Sequence, residues 1–425
     1  MTKKTGFFKE GDNLKVSATG KILHSSRFKF RGELQTRSSS ERFWWNMSAV
    51  ALQWTSSISR RPLQVKSQHK TGSKGFVGGR KYVRCAFSEL QCSTRNGALA
   101  GKVAIVTGSD RGIGRFVAEG LVAEGATVKL SCIDVEPARL AAEELNAAYP
   151  GANVEVTPRL DLADLSSVKE VADWFLAEET PLDILVNNAG ANFFPNPWYT
   201  SAGIGGCAAV NFLGPYALTR RLLPALTAGE SASRVVTVAS VMHRFTRLDN
   251  PERFLRDWSA GGYRACKLAV ILFTKELQRR IRADKLVAVT CDPGAVFSGI
   301  WATSPVFGKP PMLWLLKACY APIEDGAQAP LWAAIDPEPV PGGYYARGLF
   351  ACPWLASPPS MIRAGSWAHQ LVGLFCSLFD WPFRWILFGW KWIKQCRAVA
   401  TAPVADDQKL AAALWDLAAS AADLH

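Results

Sequence analysis

Residues 102–125, KVAIVTGSDRGIGRFVAEGLVAEG, constrain this chain more than any other stretch. A β-branched run from Val103 to Val106 ends in Thr107-Gly108, and from Arg115 to Glu124 apolar residues return at helical spacing. Three glycines therefore stand where a strand turns into a helix. Gly108 permits the tight turn, Gly112 lets the backbone come close to a pyrophosphate, and Gly114 lets the helix pack near the strand, with the helix N-terminus aimed at the anion. Taken singly, the pattern fits an ordinary glycine turn between strand and helix equally well.

The continuation of the chain decides between the two. Further strands are predicted at 127–133, 154–160, 182–186, 234–239 and 287–291, with a short seventh at Gly342-Gly343-Tyr344-Tyr345. Helices are predicted between them, at 137–148, 165–179, from about Asn211 to Leu226, and at 262–282. Strands and helices alternating at this spacing give an α/β fold, a doubly wound parallel sheet covered on both faces, with ligands gathered at the carboxyl ends of the strands.

Tyr263 and Lys267 lie four residues apart on the 262–282 helix, so they share a face. A phenol ionises near pH 10, and an ammonium one turn away favours the phenolate, bringing proton exchange towards neutrality. Ser240, at the end of the fifth strand, is expected to open into the same cleft and hold a substrate oxygen against Tyr263. Asn211 is expected to hold a water linking Lys267 to solvent. Separately these are a surface Tyr and Lys, a strand-end Ser and a helix-interior Asn; their conjunction points to chemistry.

With these residues in place, the chain resembles the short-chain dehydrogenase/reductase family over roughly 99–350. The motifs are TGSDRGIG (107–114), Asp161-Leu162, NNAG (187–190), Asn211, Ser240, YRACK (263–267) and PGAVFS (293–298), in the family's order. It is most similar to the retinol dehydrogenase group, with its plant forever-young and WW-domain oxidoreductase relatives, through VNFLGPYALT (210–219), VASVMH (238–243), KLAVILFTKEL (267–277) and GGYY (342–345). The resemblance implies a Rossmann fold, a nicotinamide cofactor and a catalytic tetrad of Asn211, Ser240, Tyr263 and Lys267. It implies that Gly108, Ser109, Arg111, Gly112, Ile113 and Gly114 bind the cofactor in the loop. Asp161, Leu162, Asn188, Ala189 and Gly190 bind it from later strand ends, and Tyr263, Lys267, Pro293, Gly294 and Val296 complete the set, with no metal. Three positions depart from the usual pattern: Cys266 where Ser commonly precedes the lysine, Gly261-Gly262 before the tyrosine, and Ser298 in place of the common Thr. The glycine pair loosens the first turn of that helix by about 1 kcal/mol per residue relative to Ala.

Cofactor choice turns on the end of the second strand, where NAD enzymes generally carry Asp and NADP enzymes a nearby Arg. This chain has Cys132, then Ile133 where the retinol dehydrogenase group commonly has Arg, then Asp134. Arg111 resembles the basic residue of some NADP-preferring members. NADP(H) is the expected cofactor; Asp134, whose carboxylate would repel a phosphate if it points inward, keeps NAD(H) as the alternative.

At 425 residues the chain exceeds such a domain of about 250 to 300 residues, and the surplus lies at the ends. Residues 1–100 carry 19 Lys+Arg against 5 Asp+Glu; subtracting these from 49 and 36 leaves 30 against 31, an almost neutral body. A basic charge confined to one end reads as a tail or an address rather than a nucleic-acid surface. From Met47 the composition is that of an organelle transit peptide, VRCAF (83–87) resembles a plastid processing site, and a chloroplast location is expected. A disordered basic extension on a cytoplasmic or ER-surface protein is the alternative. The ten cysteines form no CxxC pair and have no His at metal-ligand spacing.

Behind the last motif, 299–320 occupies the place of a substrate lid, and Trp301, Phe307, Met312, Trp314 and Leu315 favour a lipophilic carbonyl or alcohol, or else pack on the core. The Trp- and Lys/Arg-rich segment 366–396 is expected to lie in a membrane interface, with a cover on the body or a homodimer contact as the alternatives. No uninterrupted apolar run reaches about 18 residues. A last amphipathic helix is expected over 408–424, on the domain edge. The expected function is hydride transfer between a nicotinamide and a carbonyl/alcohol carbon, with Tyr263 moving the proton. A catalytically silent nucleotide-binding scaffold or redox sensor, and a membrane-surface structural protein, are the rivals.

Overall fold

A sheet of eight strands carries the molecule in the order β3-β2-β1-β4-β5-β6-β7-β8. The computed structural model describes residues 97–192, 196–299, 308–347 and 396–424. The strands are β1 (Val103–Thr107), β2 (Thr127–Ser131), β3 (Val154–Val156), β4 (Ile184–Asn187), β5 (Ser233–Val238), β6 (Leu286–Cys291), β7 (Tyr344–Ala346) and β8 (Arg397–Val399). All neighbours run parallel except β7 and β8. Every residue of β4 and β6 is buried, which is why these strands read as continuous apolar runs rather than alternations.

The helices divide between the two faces. They are α1 (Gly112–Ala123), α2 (Val135–Ala148), α3 (Leu165–Leu176), α4 (Gly214–Arg221), α5 (Leu223–Ala228), α6 (Pro251–Arg256), α7 (Tyr263–Arg280), α8 (Met312–Cys319), α9 (Gln328–Ile335) and α10 (Gln408–Ala421). Ala104 and Val106 pack with α1, α2 and α9 in one core, while Ile105, Leu185 and Val235 pack with α3, α4, α7 and α10 in the other. The order of the sheet reverses at β1, so β1 and β4 lead to opposite sides and leave a crevice beyond their carboxyl ends.

Strand and helix placement follows the sequence expectation, with three main differences. The predicted 154–160 strand stops at Val156, because Pro158 cannot donate to the ladder; Thr157 and Leu160 still donate backbone bonds to Leu130 O and Cys132 O at 3.0 and 2.9 Å. The helix expected from Asn211 to Leu226 is an α turn (Gly206–Ala208), a π turn (Ala209–Leu213) and then α4 and α5, broken at Leu222 ahead of Pro224. Strand β8 was not anticipated: three half-buried residues carry too little periodicity.

The last helix does more than lie on an edge. Capped by Asp407, which accepts from Leu410 N at 3.0 Å, α10 presses Trp415 between Tyr216 and Phe273 at ring separations of 5.3 and 5.9 Å. The Tyr216 hydroxyl donates to the Trp415 carbonyl at 3.1 Å, so the chain's tail completes the core over α4 and α7. Nearly all of 1–98 and 366–396, and the lid residues Trp301 and Phe307, lie outside the described residues. No described helix is long and apolar enough to cross a membrane.

Candidate active site

The glycine loop closes the carboxyl end of β1. Gly108 and Gly112 have φ of +62° and +63°, a region an L side chain adopts only with strain. A Cβ at Gly108 would meet the Ala189 backbone at 3.0 Å, whereas one at Gly112 would meet nothing within 4 Å. Open ground therefore lies in front of α1. Arg111, the N-cap, makes no side-chain capping bond, so the first N–H groups of α1 stay available to an anion. This arrangement fits the pyrophosphate of a dinucleotide. Ser109 turns inward, its hydroxyl donating to Val106 O at 2.7 Å, and Ile113 is half-buried.

The NNAG segment stitches the loop to β4. Asn188 donates its amide to Thr107 O and Gly108 O at 2.9 and 3.1 Å, and the Thr107 hydroxyl accepts the Asn188 and Ala189 N–H groups at 3.0 Å. Gly190 sits where a Cβ would stand 2.8 Å from Asn211 Oδ1 and 3.7 Å from Lys267 Nζ. Asp161 is held by Arg159 at 2.9 Å and accepts from Ala163 N, and buried Leu162 brings its carbonyl so close to Gly214 that a Cβ there would collide at 2.2 Å. After β6, Pro293 precedes Gly294 at φ +83°, whose N–H donates to Asp292 at 2.9 Å, and Val296 bridges to Ala321.

At the end of β2 stands a thiol, not a carboxylate. Cys132 Sγ is buried and accepts the Ser109 N–H at 3.2 Å, and burial pushes its pKa up to about 11. Asp134, two residues further on, pairs with Arg111 at 2.8 Å, and Arg111 also pairs with Asp110 at 2.9 Å. Asp134 and Arg111 stand in solvent beside the open ground, with side-chain exposures of 52% and 72%.

The four expected catalytic residues gather around the ends of β4 and β5. Lys267 is buried and donates to Val238 O at 2.7 Å, tying α7 to the end of β5 two residues before Ser240. Its Nζ lies 5.4 Å from the centre of the Tyr263 ring. Ser240 caps the short 3₁₀ turn that follows β5, accepting from Met242 N at 3.3 Å. Asn211 is buried inside the π turn, donating to Ala191 O and Cys207 O at 2.9 Å and accepting from Ala191 N. Glycine at 190 thus leaves the room in which Asn211 and Lys267 face each other.

One electrostatic expectation is corrected. Burial pushes the Tyr263 phenol above its ordinary value, with Asp292 and the Cys207 and Cys266 thiols adding to it, so the nearby ammonium does not make a phenolate here. Burial also lowers Lys267. The result is a neutral phenol beside a cation anchored on a carbonyl.

Sequence reasoning missed the support behind Ser240. His243, fully buried, makes a 2.7 Å bond between Nδ1 and Ser240 O while Nε2 faces the Ala402 N–H at 3.2 Å. A backbone N–H only donates, so Nε2 accepts and the proton sits on Nδ1. The His243 ring lies 5.0 Å from Tyr344, whose hydroxyl donates to Asp292 at 2.8 Å. Burial lifts the Asp292 carboxyl above its ordinary value. Only VASVMH and GGYY flagged this cluster in the sequence, as likeness rather than chemistry. Among the described residues no group of three or more His, Cys, Asp or Glu could hold a metal ion.

Comparison with known proteins places this geometry. The family model for short chain dehydrogenases matches residues 102–305. Retinol dehydrogenase 11 of Mus musculus is 37% identical over 303 residues, spanning 69% of this chain and 90% of that protein. Dehydrogenase/reductase SDR family member 13 of Homo sapiens is 38% identical over 286 residues, 65% of this chain and 72% of that protein. Among solved structures, an uncharacterized protein from Mycobacterium paratuberculosis matches with a TM-score of 0.53 at 28% identity, covering 76% of this chain and 94% of its own.

Proposed function

The chain belongs to the short-chain dehydrogenase/reductase family, in the retinol dehydrogenase group, an oxidoreductase acting on CH–OH and C=O groups, and from that premise we propose that it is an NADP(H)-dependent reductase of lipophilic carbonyls. The observation that carries this is the placement of Tyr263 and Lys267, one helical turn apart, across Gly190 from Asn211 and beside the glycine loop. When bound, the nicotinamide supplies the hydride.

Each residue then has one task. Gly108, Gly112 and the first N–H groups of α1 receive the pyrophosphate, with Gly114 and Asn188 holding that turn in shape. Ser240 Oγ holds the carbonyl oxygen, and Tyr263 hands its phenolic proton to that oxygen as negative charge develops on it. A phenol kept neutral by burial suits this donor role, which supports the reducing direction. Lys267, fixed by Val238 O, sets the field at the phenol and binds the nicotinamide ribose, and Asn211 holds the relay water behind it.

NADP(H) is supported by the missing carboxylate at the end of β2 and by Arg111 at the mouth of the loop. A lipophilic substrate is supported by α8, which ends two residues before Ala321 of the Val296–Ala321 bridge and exposes Trp314 and Leu315. Membrane contact through 366–396 and plastid import through 1–98 belong to the same proposal on sequence grounds; a fluorescent fusion, and membrane partition with and without 366–396, test them.

The decisive experiment is NADPH oxidation by the full chain with a panel of lipophilic aldehydes and quinones, repeated with Tyr263→Phe. The substitution is expected to lower turnover by about 10² to 10⁴ while NADPH affinity stays within about twofold. Retained turnover would remove Tyr263 from the chemistry, and no turnover with any carbonyl would favour the scaffold.

A further inference from the structure

We propose that Cys207 and Cys266 form a reversible disulfide, made by a peroxide, that shuts off the site between them. Their sulfur atoms are in contact at 3.7 Å. Cys207 lies in the turn Gly206–Ala208 and Cys266 in α7, so the pair joins the two elements that position Asn211 and Lys267. The segment leading into α7 already approaches the turn closely: a Cβ on Gly261 would come 3.5 Å from the Ala208 side chain. Neither residue has a task in the proposed reaction, and Cys266 stands where the related sequences commonly carry Ser. This inference rests on that reaction only for its effect on turnover.

The two thiols are not equivalent. Cys266 is wholly buried and donates towards Cys207 O at 3.5 Å and Gly261 O at 3.3 Å. Cys207 keeps a small opening to solvent, and its sulfur accepts from Asn211 Nδ2 at 3.4 Å. The bonds from Cys266 and Asn211 and the Lys267 charge draw the Cys207 thiol below its ordinary value, while burial raises Cys266. Cys207 is therefore the attacking sulfur. Its thiolate breaks the O–O bond of a peroxide, becoming a sulfenic acid and releasing hydroxide. Cys266 then attacks that sulfur, the S–S bond forms, and a second hydroxide leaves and takes up the proton lost by a thiol. In total two thiols give two electrons and two protons to one hydrogen peroxide, which leaves as two waters.

Shortening the sulfur separation from 3.7 Å to the bonded distance of about 2.05 Å moves the Gly206–Ala208 turn, and the π turn that continues it, against α7. It removes the Cys266 bonds to Cys207 O and Gly261 O, and it displaces the sulfur on which Asn211 rests. Asn211 and Lys267 then lose their common register.

The test exposes reduced full-length protein to hydrogen peroxide and maps thiol peptides by mass, before and after dithiothreitol. The expected result is a Cys207–Cys266 cross-link lacking two hydrogens, with turnover at least about tenfold lower and both restored by dithiothreitol. Cys266→Ser should keep basal turnover and lose the reversible inhibition; Cys207→Ser should lose the inhibition too, and serves if the first variant folds poorly. Inhibition without the cross-link, a cross-link that leaves turnover unchanged, or reversible inhibition that persists in both variants would each overturn the proposal. The cross-link is read by mass, so a protein inert towards carbonyls even when reduced would count against the proposed reaction and not against the dithiol.

Discussion

Gly114 and Asn188 leave no room between them: a Cβ on Gly114 would stand 2.4 Å from the Asn188 amide nitrogen and 2.3 Å from Gly108 O. The same amide donates to Thr107 O and Gly108 O, so a side chain at 114 forces α1 away and breaks the bonds that shape the loop. Gly114→Ala is expected to cost about 1 to 3 kcal/mol of stability and to weaken NADPH binding at least about tenfold. Thermal denaturation and fluorescence titration check it; unchanged affinity would separate the loop from the cofactor.

A proton donor works below its own pKa and fails above it. Because burial raises the Tyr263 phenol, the donor form persists through neutrality and beyond. Carbonyl reduction should stay level up to about pH 9, while alcohol oxidation, which needs the phenolate, should climb with pH. Profiles of kcat in both directions decide this, and a reduction limb that falls near neutrality would contradict it.

Arg111 is exposed and shared between Asp110 and Asp134, so its pairs contribute at most about 1 kcal/mol to folding. On the proposed reading its worth lies in the cofactor. Arg111→Ala should weaken NADPH about tenfold, the loss of a charge-assisted bond, and leave NADH almost unchanged. Asp134→Asn should tighten NADPH by freeing the guanidinium. Dissociation constants for both nucleotides give the answer.

Trp415 touches Tyr216, Phe273 and the guanidinium groups of Arg220 and Arg280. Trp415→Ala is expected to cost about 3 to 5 kcal/mol, seen in denaturant unfolding, with the NADPH dissociation constant within about twofold of the parent in the protein that remains folded.

His243 satisfies Ser240 O and the Ala402 N–H together. His243→Ala leaves the buried Ala402 N–H unpaired, while Ser240 O keeps its 3.1 Å bond from the residue 243 backbone N–H, and should cost about 1 to 3 kcal/mol. It should also raise KM for the carbonyl more than for NADPH, because the turn that it steadies begins at Ser240. Equal effects on the two constants would assign His243 to stability alone.

The layered sheet, the glycine loop and the grouping of Asn211, Ser240, Tyr263 and Lys267 were legible in the sequence because buried parallel strands read as apolar runs and the loop needs glycine at fixed offsets. What escaped depends on contacts across long separations. Nothing near His243 announces that Ala402 supplies its second bond, and nothing near Tyr216 announces Trp415. The phenol's acidity was misjudged for the same reason: helical spacing gives the distance to Lys267, but burial, set by the whole fold, dominates. The π turn at Ala209–Leu213 lies beyond a 3.6-residue period by its nature.

The helix that bears Tyr263 is clad by residues synthesised long after it. While the ribosome is still making the segment that ends in α10, Tyr216 and Phe273 have no Trp415 to cover them, and β7 has no β8 beside it. A nascent chain in that state offers a bare greasy helix and an open strand, both attractive to chaperones and to other nascent chains. Premature stop codons just before Arg397 should therefore yield insoluble protein, although Asn211, Ser240, Tyr263 and Lys267 have all been made.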